Sequence, residues 1–298
     1  MNNHENIIEL NNVWKKFDKK QVLCGINLNV KKGEAIGLVG PNGAGKTTIL
    51  SIIQGLKKPT SGTVKLFGDS PNNPIQRVGL GVSPQSISLP DTFKVGELVE
   101  FVRNHYPNRA NFEDLIDEFS LNEIVNLKVG GLSGGQKRLV SMCLAFSGNP
   151  ELVLLDEPTS GLDFQKRSLL WEIIKRKNKE GVAVIVTSHY LEEIKNLTER
   201  IIKIDNGRIN IDDLLINLKD VPIRKSITLK TDHINEFIKL PSVEFYEIEG
   251  KRVSLKTTDS EKLLREIVMT KIHFEDLYIS EQDLEGYFAT NSQDVDNL

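Results

Sequence analysis

The chain has 298 residues, the length of one or two domains and enough to bury a hydrophobic core. Hydrophobic residues make up 39% of it and charged residues 27%, and no apolar run approaches the roughly 20 residues that cross a bilayer, so we expect a soluble globular protein. The formal net charge of −3 argues against a general nucleic-acid-binding protein. The opening residues lack the features of a secretory signal, and Cys24 and Cys143 lack metal-ligand spacing. Both observations favour a cytosolic protein with reduced, buried thiols.

The elements predicted in the first two thirds of the chain are strands alternating with helices. Antiparallel strands are predicted at residues 7–13, 22–30 and 63–67. Runs that are apolar on both faces predict the central strands of a parallel sheet covered by helices, at 35–39 (AIGLV), 152–155 (LVLL) and 182–186 (VAVIV). Apolar residues at helical spacing make residues 94 to about 126 mostly helical. Asn206-Gly207, between alternating apolar residues, predicts a hairpin over Ile202–Ile211 that closes a first domain.

The last part of the chain has a different element order. A short helix is predicted at Asp212–Leu218, and Pro222 then breaks the pattern within a linker at 219–224. Strands are predicted at 226–230, 243–248, 252–256 and 272–279, and helices at 232–240 and 260–270. That order is βαββαβ, the ferredoxin-like arrangement, and a final helix is predicted at about 281–289. We therefore expect domains at 1–218 and 225–298.

A phosphate-binding loop follows the predicted strand AIGLV. The segment GPNGAGKTT matches the pattern GxxxxGK[ST] and precedes an amphipathic helix, which is the context that the pattern requires. Its residues are Gly40, Pro41, Asn42, Gly43, Ala44, Gly45, Lys46, Thr47 and Thr48. The glycines let several backbone N–H groups point at one anion, and the helix N-terminus adds about half a positive charge. We expect Lys46 to reach the β- and γ-phosphates and the Thr47 hydroxyl to hold Mg²⁺.

Polar side chains follow three other predicted strands and are expected near this loop. Asp156 follows LVLL and is expected to orient Mg²⁺ and its waters, while Glu157, one residue further out, is expected to act as general base toward a water. His189 follows VAVIVTS, and Gln85 follows the run Val78–Val82 with the reach to contact the metal or the attacking water. Ligands bind at this edge of a doubly wound sheet, although each of these two residues is equally compatible with a structural role.

A second glycine-rich segment, LSGGQ at residues 132–136, precedes the predicted helix Lys137–Ala145. The Ser133 hydroxyl, Gly134, the Gly135 N–H and Gln136 therefore open a helix whose dipole favours an anion. One chain does not need two such sites for one nucleotide. The sequence thus raises the question of which molecule the second site serves.

These motifs together resemble the nucleotide-binding subunit of the ATP-binding cassette (ABC) family. The resemblance is carried by GPNGAGKT, Gln85, LSGGQ, LVLLDE, SGLD at 160–163 and His189, and it spans about residues 6–218. It implies a P-loop NTPase fold of the ABC type, with a mixed α/β sheet core, an antiparallel β subdomain and a helical subdomain at about 86–130. The ferredoxin-like α+β domain would be an addition to that fold.

The resemblance also implies ATP, Mg²⁺ and partners. LSGGQ would bind the γ-phosphate of an ATP held by the phosphate loop of a second subunit, so that two chains bury two ATP molecules head to tail. Asp163 would contact the partner, and Phe17 would stack on adenine, with Trp14 as the alternative ring. The segment 86–130 would grip a separate polytopic membrane subunit. The chain would then lie at the inner face of the cell membrane through that subunit.

The direction of transport has less support in the sequence. QDLEGYFATN, at 282–291, resembles a short element that closes the accessory domain of ATPases of bacterial drug and antibiotic-peptide exporters, which favours an exporter. An importer ATPase with a ligand-sensing C-terminal domain is the main alternative. A soluble cassette acting on ribosomes would usually carry two cassettes, and a DNA-repair cassette would carry a long coiled coil between LSGGQ and the phosphate loop.

Overall fold

A computed structural model of the chain describes residues 6–214 and 225–281. The chain divides into two compact units, Met1–Leu215 and Ile216–Leu298. The predicted linker at 219–224 and the QDLEGYFATN segment lie outside the described residues, as does all but the first residue of the predicted helix at 281–289.

The first unit contains two sheets. An antiparallel sheet has the order β2-β1-β4 and is formed by β1 (Asn6–Phe17), β2 (Lys20–Lys31) and β4 (Ser61–Leu66). The central sheet has the order β5-β6-β7-β3-β8-β9 and is formed by β3 (Ala35–Val39), β5 (Leu80–Ser83), β6 (Leu152–Asp156), β7 (Ala183–Thr187), β8 (Arg200–Asp205) and β9 (Arg208–Leu214). Every residue of β3, β6 and β7 is buried, and the three predicted central strands are confirmed.

Six α-helices are found in the described part of the first unit. They are α1 (Lys46–Ile53), α2 (Val95–Arg103), α3 (Phe112–Glu118), α4 (Gly134–Phe146), α5 (Phe164–Lys179) and α6 (Leu191–Leu197). The region predicted to be mostly helical from residue 94 contains α2 and α3, and a turn-forming stretch with Pro107 separates these two helices before Asn111 caps α3 through its side chain. One cluster of buried side chains joins α1 to both sheets, so the phosphate-loop helix is anchored in the core.

The hairpin that closes the first unit is confirmed, but the helix predicted after it is wrong at its start. Asn206 and Gly207 both have positive φ, 46° and 73°, which suits the turn between β8 and β9. Residues 212–214 continue β9 instead of starting a helix. Asp212 accepts hydrogen bonds from Arg200 on β8, one of them at 2.7 Å, and this cross-strand pair stabilises the extended conformation.

The second unit is one sheet covered by helices. Its elements are β10 (Lys225–Lys230), α7 (Ile234–Phe237), β11 (Phe245–Glu249), β12 (Arg252–Thr257), α8 (Ser260–Met269) and β13 (Glu275–Glu281). The strand order is β11-β12-β10-β13 and all pairs are antiparallel, so each βαβ crossover skips one strand, as in the ferredoxin-like arrangement. Phe237, Leu263 and Ile267 pack with β10 and β12 in the core of this unit.

Candidate functional site

The loop between β3 and α1 has the backbone that an anion site needs. Gly40 and Gly45 have φ of +147° and +115°, a region that favours glycine. A Cβ on Gly40 would lie 2.0 Å from the Ile204 carbonyl oxygen, so the loop passes too close to β8 for any side chain. Gly45 is the N-cap of α1 and makes no side-chain cap, which leaves the first N–H groups of α1 directed into the loop.

Many of the predicted site residues line one cavity of about 340 Å³ beside this loop, called here the nucleotide cavity. Its lining residues are Phe17, Lys20, Val22, Asn42, Gly43, Gly45, Lys46, Thr47, Thr48, Gln85, Asp156 and Glu157. The predicted residues Gly40, Pro41, Ala44 and His189 are not among its lining residues. They come from β1, β2 and the carboxyl ends of β3, β5 and β6, which is the edge of a parallel sheet where ligands bind. The sheet order therefore brings together residues that are about 140 positions apart in the chain.

Lys46, Thr47 and Asp156 interact at the floor of this cavity. The Lys46 side chain is 9% exposed, and its ammonium group donates to the carbonyl oxygens of Gly40 and Pro41. The Thr47 hydroxyl donates to Asp156 Oδ2 at 3.1 Å. Thr187, at the end of β7, donates its hydroxyl to the other carboxylate oxygen of Asp156. Thr187 was not predicted as a site residue, although its position at the end of the apolar run VAVIVT is a signal of the same kind as those of Asp156 and His189.

The Thr47 and Asp156 pair suits a magnesium ion. Within residues 6–214 and 225–281 there is no group of three or more His, Cys, Asp or Glu side chains that could hold a metal. Mg²⁺ at nucleotide sites takes one or two protein oxygens, waters and the phosphates of the substrate, so a larger cluster is not required. A hydroxyl and a carboxylate already 3.1 Å apart supply two oxygen donors of the kind that the ion prefers.

Glu157 is held in an unusual backbone conformation next to His189. Its φ is +51°, uncommon for a residue with a side chain. Its N–H donates to both the carbonyl and the hydroxyl oxygen of Thr187, each at 3.1 Å, and this fixes the turn. The Glu157 carboxylate lines the nucleotide cavity and lies 2.9 Å from His189 Nε2. Positive φ at such positions costs on the order of 1–3 kcal/mol and is typical of functional sites.

The LSGGQ residues, called here the signature segment, are separate from this cavity. Ser133 is the N-cap of α4, and its hydroxyl oxygen accepts from the Gln136 N–H at 3.3 Å. The Gln136 side chain accepts in turn from the Ser133 N–H at 2.9 Å, which completes a capping box. Both Ser133 and Gly134 are exposed, and no residue of the segment lines the nucleotide cavity. The two segments predicted to bind phosphate thus lie in different places on the first unit.

Comparison with known proteins identifies the family. The chain is 32% identical over 305 residues to the linearmycin resistance ATP-binding protein LnrL of Bacillus subtilis, covering 95% of this chain and 97% of that protein. The chain belongs to the ABC transporter family. The family model described as ABC transporter matches residues 23–160. The chain is also 38% identical over 208 residues to the Nod factor export ATP-binding protein I of Burkholderia orbicola, covering 67% of this chain and 68% of that protein.

Solved structures of ABC cassettes have the same fold as the first unit. A dimeric structure of a post-hydrolysis state of the ATP-binding cassette MJ0796, bound to ADP and Pi, is 29% identical to this chain with a TM-score of 0.65, covering 70% of this chain and 98% of that one. The predicted family, the ABC-type fold and the ATPase activity are confirmed. The chain is an ABC ATPase subunit that uses ATP.

In this ABC ATPase, Phe17 is the aromatic residue at the nucleotide cavity. Its ring is 38% exposed, and the ammonium groups of Lys15 and Lys57 each lie 4.9 Å from the ring centre. Trp14 does not line the cavity, and its indole N–H donates to Asn12 at 2.9 Å. The geometry therefore favours Phe17 over Trp14 as the ring that would stack on adenine.

Gln85 lines the cavity on a loop that Arg138 of α4 holds. Arg138 is 7% exposed, and its guanidinium donates to the carbonyl oxygens of Pro84 and Gln85 at 2.8 and 2.9 Å. Burial lowers the pKa of Arg138, and the carboxylates of Glu157 and Asp156 act in the opposite direction. Arg138 is not predictable as a site residue from its neighbours, because nothing local shows that it reaches a residue 53 positions away. It links the helix that begins at the signature segment to the Gln85 loop.

Proposed function

We propose that this ABC ATPase binds and hydrolyses two ATP molecules between two copies of itself, and that the cycle drives a separate membrane subunit of an exporter. The observation that carries the proposal is the separation of the two phosphate-binding features. The nucleotide cavity holds Lys46, Thr47, Asp156 and Glu157, whereas the signature segment lies outside it with Ser133 and Gly134 exposed. A head-to-tail dimer places each signature segment opposite the other chain's cavity, so both features serve the same nucleotide.

The residues of one cavity have distinct roles in this proposal. The loop 40–48 and the N-terminus of α1 bind the phosphates, and Lys46 exchanges its contacts with Gly40 and Pro41 for phosphate oxygens. Thr47 and Asp156 hold Mg²⁺, with Gln85 reaching the same region. Bound Mg²⁺ supplies charge neutralisation at the β- and γ-phosphates.

Glu157 is the proposed general base. Its carboxylate projects into the cavity from the strained turn after β6 and accepts the proton of a water that attacks the γ-phosphate. His189 holds that carboxylate through the 2.9 Å contact. Phe17 stacks on the adenine ring, a contact that a phenyl ring makes without a hydroxyl.

The partner's contribution comes from α4. Ser133 uses its oxygen as an acceptor for the helix cap, and its proton is free to be donated outward to a phosphate oxygen of the second chain's ATP. Gly134 and the Gly135 N–H group at the start of a 13-residue helix add the positive end of the helix dipole. Asp163, the N-cap of α5, follows Leu162, which lies beside Gly135 of the signature segment, and in this proposal it contacts the partner.

The proposed membrane partner is separate from the described part of the chain. Within residues 6–214 and 225–281, no helix combines the length and the apolar character that crossing a bilayer requires. The segment 86–130 lies in the chain between Gln85 and the signature segment. In this proposal it binds the membrane subunit and transmits to it the movements of the Gln85 loop and of the signature segment. The names of two similar proteins refer to export and to resistance, which supports an exporter over an importer for this chain. The chain then works at the inner face of the cell membrane.

The test uses the Glu157→Gln variant of the full chain, which should bind ATP and trap the closed dimer. The tagged variant is expressed in its own host, extracted with detergent and ATP, and its partners are identified by mass spectrometry. We expect a polytopic membrane protein in a complex with two copies of the chain. Recovery of ribosomes or of soluble proteins alone would refute the transport role, and a complex containing one copy beside a different cassette would refute the homodimer.

A further inference from the structure

A row of contacts leads away from the nucleotide cavity across the surface of the first unit. Glu157 lines the cavity and contacts His189. Tyr190 follows His189 in the chain, and the Arg167 guanidinium lies 5.0 Å from the centre of the Tyr190 ring. Arg167 is in the first turn of α5. This part of the surface therefore connects the general base to the start of α5.

The same turn of α5 also reaches the signature segment. A Cβ placed on Gly135 would lie 3.2 Å from Leu162 Cδ2 and 3.6 Å from Lys166 Cδ. Leu162 and Lys166 flank the N-cap of α5, Asp163, whose carboxylate accepts from the Lys166 ammonium at 2.7 Å. The start of α5 and Tyr190 thus lie between the two phosphate-binding features of one chain.

The symmetry of the proposed dimer determines where these intermediate residues lie relative to the partner. In a twofold dimer, the partner's signature segment sits at this chain's nucleotide cavity, so a rotation of 180° carries one feature onto the place of the other. A point and its image under a twofold rotation have their midpoint on the axis. Surface residues midway between the cavity and the signature segment therefore lie closest to the axis and meet their own copies.

Two aromatic side chains are exposed at this midpoint. Phe164, the first residue of α5, is 72% exposed, and Tyr190 is 48% exposed. Phe164 lies three residues before Arg167, which places both on one face of the helix, and Arg167 stacks on Tyr190. We infer that Phe164 and Tyr190 form an aromatic contact at the twofold axis, covered by the same two residues of a second copy of this chain. The inference rests on the proposed homodimer and names the residues that hold it together.

The chemistry of these side chains suits a contact that forms and breaks with ATP. Large aromatic residues bury much apolar area with few rotatable bonds, and they dominate the energetics of many interfaces. Phe164 and Tyr190 together are called here the aromatic patch. At the axis the patches of the two chains face each other, so a single substitution changes both sides of the contact. The patch lies one residue from His189 and one from Asp163, so closure of the two ATP sites and burial of the patch occur together.

A symmetric cross-link tests the position of Phe164 directly. Phe164→Cys is made in the full chain together with Glu157→Gln and Cys24→Ser. Cys143 remains, because it is buried and burial raises the pKa of its thiol. A disulfide requires Cα atoms within about 4.4–6.8 Å of each other, so one cysteine per chain cross-links only beside the axis. The matched control is Ile75→Cys, similarly exposed at 74%. Ile75 precedes the amino end of β5, whereas Phe164 comes after the carboxyl end of β6.

We expect Phe164→Cys to form a cross-linked dimer on mild oxidation with ATP and Mg²⁺, and not with ADP, while Ile75→Cys stays monomeric. We also expect Phe164→Glu to raise the dimer dissociation constant at least about tenfold, because it replaces an apolar contact by two facing carboxylates, whereas Ile75→Glu does not. Light scattering separates the two proposals. If ATP dimerises the chain but Phe164→Cys cross-links no faster than Ile75→Cys, the axis contact is wrong and the homodimer stands. If ATP produces no dimer, both are wrong.

Discussion

Replacing Glu157 by glutamine tests the proposed division of labour in the nucleotide cavity. The amide keeps the size of the side chain and its hydrogen bond to His189, and the backbone N–H bonds to Thr187 are unaffected. It removes only the ability to accept a proton. A positioned general base contributes about 10²- to 10⁴-fold, and each tenfold change corresponds to about 1.36 kcal/mol, so we expect the barrier to rise by roughly 2.7–5.4 kcal/mol.

ATP binding should survive this substitution. The contacts that prepare the phosphate and metal sites are those of Lys46 with its own loop and of Thr47 with Asp156, and neither involves Glu157. We expect the dissociation constant for Mg²⁺-ATP to change by less than about threefold, a small fraction of the catalytic loss. Binding is measured with a fluorescent ATP analogue, and hydrolysis by phosphate release in a single turnover.

Two further variants sharpen the result. Glu151→Gln is the matched control, since Glu151 precedes the amino end of β6, whereas Glu157 follows its carboxyl end. Glu151 pairs with Lys32 on the surface, and its glutamine variant should hydrolyse ATP like the unsubstituted chain. If His189 acts by holding Glu157, then His189→Ala should lower the rate, and the double variant should be about as slow as Glu157→Gln alone. Hydrolysis by Glu157→Gln within tenfold of the unsubstituted rate would exclude Glu157 as the base. Additive losses in the double variant would give His189 an independent role.

Three other predictions concern residues away from the reacting atoms. Arg138→Met should lower the hydrolysis rate about tenfold or more with little change in ATP binding, because the carbonyl groups of Pro84 and Gln85 lose their donor and no longer position Gln85. Arg138→Lys should restore only part of the rate, since lysine lacks the planar pair of donors. Equal rates for the two variants would contradict the role of Arg138 in positioning Gln85. Cys143 is buried as expected, but Cys24 is only half-buried, so the expectation of a buried thiol is wrong there. At pH 8 a thiol reagent should modify Cys24 quickly and Cys143 only after unfolding, since burial raises the Cys143 pKa and keeps the thiol protonated; rapid loss of two thiols would refute this. Phe237→Ala should destabilise the second unit by about 3–5 kcal/mol while the first unit still binds ATP, measured by limited proteolysis and nucleotide binding.

The central sheet and the phosphate loop were predictable because their signals are local. Strands β3, β6 and β7 are buried on both faces, so their apolar runs stand out in the sequence, and a loop of fixed spacing follows β3 directly. The order β5-β6-β7-β3 then brings the ends of these strands to one edge. Gln85, Asp156 and Glu157 were predicted as site residues because each of them follows a predicted strand.

The failures occurred where contacts distant in sequence decide the structure. The stretch after Asp212 was expected to be helical, but Arg200 on the neighbouring strand binds Asp212 and extends it. Arg138 was not predicted as a site residue, because its burial depends on the loop after β5 reaching it. Propensity and periodicity contain no information on such partners, so their weight in a prediction is small at these positions.

The conformation of Glu157 shows how the fold adds what the residue type does not specify. A glutamate favours negative φ, and its own neighbours give no reason for +51°. Thr187, on the adjacent strand β7, supplies that reason: its carbonyl and hydroxyl both accept the Glu157 N–H, while the same hydroxyl donates to Asp156. One threonine thus fixes the turn that aims the proposed base and orients the carboxylate proposed to hold the metal. The two acids are adjacent in sequence, but their different roles arise from a strand that lies 30 residues away in the chain.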